Sequence, residues 1–352
     1  MLDNATPVDW RFAMKRAIRS SDGLRAALGL EKQMFSQGRP ETAGSEPVRL
    51  SRTPEYAGTI QSESNFPTFV PLEFLSRIQP GDPSDPLLRQ VMPIEAEDLE
   101  VDGYGGDPVG DLLVMPEVGV LHKYHGRVLL VSTGACGVHC RYCFRREFPY
   151  SDASVSGQSW DPFIRYLESN TDIQEVLLSG GDPLTLVDEK LQELVDALTP
   201  IRHVRRIRVH TRMPVVIPQR VTPSLIDLFA SSRFATWFVI HANHPNELDA
   251  DVLSRVGKLI DAGIPVLNQA VLLRGVNDSA DILVDLCTRL VDHRIQPYYL
   301  HQLDRVRGAS HFEVPIAEGL EIMKLLRQRL PGYAVPDYVI EQSGTTSKTP
   351  LV

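Results

Sequence analysis

The sequence predicts an α/β protein whose body is an open, partial barrel of six βα units, with a mostly helical region before it and a short tail after it. Three observations predict this. From residue 127 onward, short apolar runs alternate with segments of helical periodicity. After the first unit the runs begin about thirty residues apart, the length of a strand with its crossover helix. Polar residues gather directly behind the runs, at the strand ends where such folds place their chemistry. Six units are too few to close an eight-stranded barrel, so the sheet is expected to stay open. No sequence self-similarity accompanies the period, so the repeat is architectural only.

The elements follow in order, and the chain divides into residues 1–111, a barrel at 112–335 and a tail at 336–352. Residues 8–30 (VDWRFAMKRAIRSSDGLRAALGL) alternate apolar and basic positions at helical spacing and predict one or two amphipathic helices. Residues 33–69 are rich in Ser, Pro, Gly and Glu and show little periodicity. Residues 71–80 predict a short helix, and 81–111, with many Asp, Gly and Pro, predict loop. RVLLVST from Arg127, EVLLS from Glu175, RRIRVHT from Arg205, ATWFVIH from Ala235, PVLNQAV from Pro265 and QPYYLHQ from Gln296 predict buried parallel strands. Helices are predicted between and after them, at 160–169, 188–198, 223–231, 246–262, 279–293 and 315–330.

Composition narrows the class of function. The 352 residues are 43% hydrophobic and 23% charged, which is ordinary for a globular protein. No apolar run is long enough to span a bilayer, and the start MLDNATPVDW lacks the basic and apolar stretches of a signal peptide. A soluble, cytoplasmic protein without membrane contact is expected. A net charge of -9 argues against nucleic-acid binding, which needs a basic footprint.

Three of the four cysteines, Cys136, Cys140 and Cys143, stand in the stretch GACGVHCRYCFRREF behind the first strand. This is no disulfide framework; a tight cluster points to metal. Zinc, with His122, His125 or His139 completing a site, is one reading of Cys-x3-Cys-x2-Cys. Three thiolates with one position open suit a [4Fe–4S] cluster whose fourth iron binds a ligand. Tyr142 and the place behind a first barrel strand favour the cluster. At this point the chain resembles the radical S-adenosylmethionine (SAM) enzymes. The resemblance implies that SAM chelates the unique iron. It also implies that an electron donor such as flavodoxin or ferredoxin drives its cleavage to a 5′-deoxyadenosyl radical. Cys287 differs: it shares a helical face with Leu283, Leu290 and Val291 and reads as a core thiol.

Further stretches narrow the resemblance. CRYCFRREF, LSGGDPL (178–184), HANHPNE (241–247), NQAVLLRGVND (268–278), YYLHQLD (298–304) and PDYVIEQSGTTSK (336–348) together resemble the lysine 2,3-aminomutase family. The likeness runs from about residue 82 to the C-terminus. That family uses pyridoxal 5′-phosphate (PLP) beside the cluster and SAM, and moves an amino group from the α- to the β-carbon of free L-lysine. The resemblance assigns Gly180, Gly181, Asp182, His241 and Gln269 to SAM. It assigns Lys348 to the covalent link with PLP, and Tyr124 and Arg127 to its surroundings. Such a lysine needs a neutral amine, favoured by burial or a neighbouring cation. Arg145 matches the residue that binds the substrate carboxylate, and Asp304 and Glu341 match two acids that hold its ε-ammonium.

Each position has a plainer meaning when taken alone. Gly180-Gly181-Asp182 reads as a tight turn, and His241 and Gln269 as hydrogen-bonded interior groups. Tyr124 reads as a packed loop aromatic and Arg127 as a charged strand start. Arg145 reads as a solvated arginine beside Arg141 and Arg146. Asp304 reads as a local partner of Arg305 or Arg307, and Lys348 as a mobile tail residue.

Three departures from longer family members stand out. Glu341 replaces an aspartate, SGTTS replaces a glycine-rich run before Lys348, and zinc-binding cysteines are absent, with Ser279 at one such position. The short C-terminus and the region around Trp10 resemble the branch that supplies (R)-β-lysine to a ligase modifying elongation factor P. The rival readings are an aminomutase for another amino acid, such as arginine, and a zinc-stabilised, non-catalytic interaction protein. Two acids in the site disfavour a glutamate-type substrate.

Overall fold

A computed structural model describes residues 9–30, 66–150 and 159–351. Most of the Ser- and Pro-rich stretch at 33–69 lies outside the described residues. The predicted amphipathic segment forms two helices, Trp10–Lys15 and Ser21–Leu28. Asp9 accepts from Arg11 N at 3.1 Å and Ser20 from Gly23 N at 3.1 Å, so each helix starts on a side-chain cap. The second ends at Gly29, whose φ of 65° is the left-handed conformation that glycine adopts freely. Between the helices Ile18 pairs with Val70. Trp10 is buried with the Arg220 guanidinium 4.7 Å from its ring centroid, which docks the first helix onto the barrel.

The barrel is one sheet, nine-stranded among the described residues, in sequence order. It comprises β1 (Val120–Tyr124), β2 (Arg127–Thr133), β3 (Glu175–Gly180), β4 (Arg206–Thr211), β5 (Ala235–His241), β6 (Val266–Val271), β7 (Gln296–His301), β8 (Asp337–Ile340) and β9 (Thr349–Pro350). β2 through β8 run parallel, while β1 and β9 pair antiparallel with the strands beside them. The six predicted strands are β2 to β7, displaced by at most a residue or two. β1, β8 and β9 carry no sustained apolar run, and they owe their order to pairing at the sheet's margins. The six predicted helices are present, from Asp161–Ser169 to Ile316–Arg329. The helix predicted from 246 begins at Ala250, because Asp249 caps it by accepting from Val252 N at 2.9 Å. The segment predicted as loop before residue 111 holds one short helix, Pro86–Arg89, and a 3-10 turn, Glu95–Asp98. No helix among the described residues is long and apolar enough to cross a membrane.

Parallel strands buried on both faces should read as continuous apolar runs. β3, β4 and β6 instead alternate in burial. Successive side chains point to opposite faces of a strand. On one face Val176, Leu178, Ile207, Val209 and Phe238 pack with Leu191, Leu194, Leu225, Phe229 and Val256 of the surrounding helices in the main core. On the other face Glu175, Leu177, Ser179, Arg206, Arg208, His210, Leu267 and Gln269 line an internal cavity. The inside of this barrel is therefore a ligand chamber, and its polar residues sit where packed apolar layers would otherwise be. A register shift between β6 and β7 at Asn268/Gln269 turns both Tyr298 and Tyr299 into the chamber.

Candidate active site

The chamber has a volume of about 660 Å³, within the range of small-molecule sites. Cys136, Cys140 and Cys143 line it, each partly exposed. Burial, and then the neighbouring thiols, raise Cys136 well above the usual thiol range and Cys143 to about 11. Among the described residues no three His, Cys, Asp or Glu side chains converge tightly enough to hold one metal ion. The histidines that a zinc site would need are committed elsewhere. His139 Nδ1 lies 2.8 Å from the Pro67 carbonyl, His122 Nδ1 lies 2.7 Å from the Tyr166 hydroxyl, and His125 is exposed beside Asp172. Three thiols around open space fit an iron–sulfur cluster, in which each thiolate binds a separate corner. Cys287 is buried in the core, as its helical face predicts.

The glycines at the end of β3 are required by the cysteine loop. A Cβ on Gly181 would stand 2.2 Å from the Ala135 carbonyl oxygen, and one on Gly180 would stand 2.7 Å from that of Thr133. Gly180 also has φ +114°. The carboxylate of Asp182 is fully occupied. It accepts from Leu184 N at 3.0 Å, Thr211 Oγ1 at 2.7 Å, Arg212 N at 2.6 Å and Met213 N at 3.0 Å. Its visible work is to hold the turn after β4 against the turn after β3. His241 and Gln269 are register partners across β5 and β6, and both face the chamber. His241 Nε2 is 2.8 Å from the Tyr142 hydroxyl, and burial, reinforced by Arg212, lowers its pKa to about 3. It is therefore a neutral imidazole at physiological pH.

The three arginines of the cysteine loop part company. Arg141 and Arg146 turn to the buried Glu97, with Arg141 Nε at 2.8 Å and Arg146 Nη2 at 2.7 Å. They anchor the loop from outside. Arg145 turns into the chamber, where its Nε donates to Asp111 Oδ2 at 2.8 Å. Burial opposes its charge, but Asp111 outweighs burial and raises its pKa. Asp111 also faces Lys123 Nζ at 3.3 Å, and Lys123 donates to Glu341 at 2.9 Å. Glu341 accepts from the Tyr124 hydroxyl at 3.2 Å and from Lys348. Arg145, Asp111, Lys123, Glu341 and Lys348 thus form a chain of alternating charge. Burial would raise the Glu341 carboxyl, yet Lys348 and Lys123 hold it well below the usual range.

Lys348 is placed by tertiary pairing. β9 folds back on β8, with Ile340 opposite Thr349, and so brings Lys348 beside Glu341. Burial or a neighbouring cation would favour the neutral amine; the charge beside it is instead a carboxylate, shared with Lys123. Asp304 has no side-chain partner among the described residues. The local arginines go elsewhere: Arg305 to Glu313 at 2.8 Å and Arg307 to Glu147 at 2.8 Å. Burial, and then the charge of Glu341, raise the Asp304 carboxyl to about 7. Arg127 lies 4.8 Å over the Tyr124 ring and lines the chamber with Arg206 and Arg208. Those two share Glu175, at 3.2 and 2.8 Å. Arg208 Nε and His210 Nε2 are buried without a partner among the described residues.

Four chamber residues, Asp111, Lys123, Arg206 and Arg208, belong to no motif of the sequence. The first two sit in stretches without periodicity, and their partners lie far away in the chain. The last two had a signal: cations two apart in a strand occupy one face.

A partial barrel with three thiols behind its first parallel strand defines a class, the radical SAM enzymes. Residues 130–287 match the Radical SAM superfamily. The chain is 39% identical to the L-lysine 2,3-aminomutase of Haemophilus influenzae over 97% of its own length and 95% of that protein. It is 44% identical to the Escherichia coli L-lysine 2,3-aminomutase over 80% and 82% of the two chains. With the Clostridium subterminale L-lysine 2,3-aminomutase the identity is 36%, over 98% of this chain and 78% of that one. The chain belongs to the lysine 2,3-aminomutase family. It is an isomerase of the radical SAM class, which carries a [4Fe–4S] cluster and SAM.

Anaerobic reconstitution should give a brown protein with about four irons and matching sulfide per chain. Cys136→Ala, Cys140→Ala and Cys143→Ala should each lose SAM cleavage and most of the cluster absorbance, while Cys287→Ala should keep both. Iron and sulfide analysis with visible spectra checks this; an active, colourless protein loaded with zinc would overturn it.

Proposed function

We propose that the protein converts free L-lysine to β-lysine, with PLP attached to Lys348. The carrying observation is the content of one chamber: three cluster thiols, a lysine, a buried arginine and an unpartnered acid. The residues suit PLP. Arg127, Arg206 and Arg208 outnumber Glu175, and the free Nε of Arg208 is a buried donor in want of an acceptor, as a phosphate would supply. Lys348 supplies the amine, and Tyr124 supports Glu341 beside it. The cluster with SAM supplies a hydrogen-abstracting radical, and PLP supplies the ring to which the migrating amino group is attached.

The chain's own residues bind and orient. Arg145, held by Asp111, presents a planar cation to the substrate carboxylate. Asp304 takes the ε-ammonium, with Glu341 beside it. A substrate with a second carboxylate would meet two acids there. Gly180 and Gly181, which let the cysteine loop pack close, line the place of the methionyl end of SAM together with His241 and Gln269. Asp182 keeps the turns around that place in register.

The finer role rests on resemblance. The product is (R)-β-lysine, made in the cytoplasm with an electron from flavodoxin or ferredoxin, and a ligase transfers it to elongation factor P. Deleting the gene should leave that factor unmodified in intact-mass spectra, and added (R)-β-lysine should restore the modification. Persistence of the modification would end this role.

Two further outcomes test the site. Borohydride reduction of the PLP-loaded enzyme followed by peptide mapping should label Lys348; a label on Lys190 or Lys258 would misplace the cofactor. Lysine binding should depend on pH through Asp304. Its carboxyl, at about 7, must lose a proton before it pairs with an ammonium. Lysine affinity should therefore rise up to about tenfold per unit as pH climbs toward 7, then level off. Asp304→Asn should weaken binding by about 2–5 kcal/mol and flatten the profile. Calorimetric titration from pH 6 to 8 reads both, and an unchanged profile in the variant would remove Asp304 from the substrate site.

A further inference from the structure

Arg212 follows β4 and belongs to neither the substrate site nor the set of cluster ligands. It is buried, and its guanidinium reaches the cysteine loop. Nη1 donates to Cys140 Sγ at 2.7 Å and to the Tyr142 hydroxyl at 2.7 Å. Nη2 donates to Gln90 Oε1 at 2.6 Å and to Glu247 Oε2 at 2.8 Å. Glu247 is wholly buried, and its other oxygen accepts from Asn243 N at 2.9 Å, His244 N at 3.1 Å and Gln90 Nε2 at 3.1 Å. The contact is selective. Among the described residues no side chain donates a hydrogen bond to the sulfur of Cys136 or of Cys143. Sγ of Cys140 here stands for a thiolate bound to one iron of the cluster.

We propose that Arg212 tunes the cluster through the Cys140 sulfur, and that Glu247 sets how much of its charge the cluster feels. The reasoning is electrostatic. Reduction adds one electron to the cluster and moves no proton. A cationic donor on a ligand sulfur stabilises that added charge, because hydrogen bonds to the sulfurs and net charge set cluster potentials. Burial keeps solvent from screening it. Glu247 opposes the effect, since its carboxylate faces the same guanidinium. Arg212 therefore raises the reduction potential and Glu247 lowers it. Arg212 is a positioning residue in this scheme: it also fixes Tyr142, which in turn touches His241. The proposal rests on the cluster alone and not on the identity of the amino acid substrate.

The test is a reductive titration of the anaerobically loaded enzyme with dithionite and mediators, followed by electron paramagnetic resonance. SAM, PLP and lysine are left out, so failure of the substrate reading leaves the result untouched. Arg212→Gln should lower the ratio of reduced to oxidised cluster about tenfold at a given solution potential, a midpoint lower by about 59 mV for one electron. Arg212→Lys, which keeps the charge, should shift it less in the same direction. Glu247→Gln should move the midpoint the opposite way. A purely structural role would lower iron content or melting temperature without signed shifts. Should Arg212→Gln fail to retain the cluster, Arg212→Lys decides: a lower midpoint supports the proposal and an unchanged one overturns it. Equal midpoints in all variants, or shifts of the same sign for both positions, also overturn it.

Discussion

The buried carboxylate of Glu247 is the constraint on which the upper rim of the barrel depends. Four groups point at its oxygens, from the loop after β5, from Gln90 in the N-terminal region and from Arg212 after β4. Its backbone carbonyl accepts from Arg77 as well. Burial alone would push its pKa up, yet Arg212 and these donors hold it below the ordinary value, so the charge persists. Removing one partner of such a pair leaves an uncompensated buried charge, at a cost of about 3–5 kcal/mol. Segments far apart in the chain thus share one electrostatic anchor beside the cysteines.

The remaining charges divide by task. Glu97 takes Arg141 and Arg146 and fastens the cysteine loop to the N-terminal region. Arg145, between them in sequence, faces the other way and heads the alternating chain that ends at Lys348. In that chain every charge has an opposite neighbour, and so the side chains hold their directions before any ligand arrives. Asp304 stands outside it. Burial without a partner leaves its carboxyl half-neutral near pH 7, ready to be completed by a cation. Preorganised polar groups around one free position make a selective binding site, because wrong partners leave buried charge unmatched.

The chamber exists because the strands alternate. Their outward side chains fill the core against the helices, while the inward ones leave space and carry charge. Glycine serves the same end at one point, where the β3 turn presses on the backbone of the cysteine loop. Any side chain at Gly181 would push against a carbonyl rather than a flexible group, and the cysteine loop would have to move. Packing of that kind typically costs about 1–3 kcal/mol.

By itself the sequence set the class of fold and placed three thiols close together behind the first parallel strand. Helix and strand periods depend on neighbours a few residues away, and so six of the seven parallel strands were legible within a residue or two, and their helices within four. The thiols were legible too, because Cys136, Cys140 and Cys143 lie within eight positions. Lys348 and Asp304 were visible only through resemblance. Tertiary structure decided the rest, since charge pairing acts through space. Lys123 meets Glu341 across 218 positions, Arg145 meets Asp111 across 34, and Arg212 meets Gln90 across 122. No local pattern encodes such a meeting. The direction in which each arginine of CRYCFRREF turns is likewise set by where Glu97 and Asp111 come to rest. The tail lysine meets Glu341 because β9 pairs with β8. Short-range preferences write the elements into the chain, but the electrostatic partners of a buried charge are chosen by the fold that buries it.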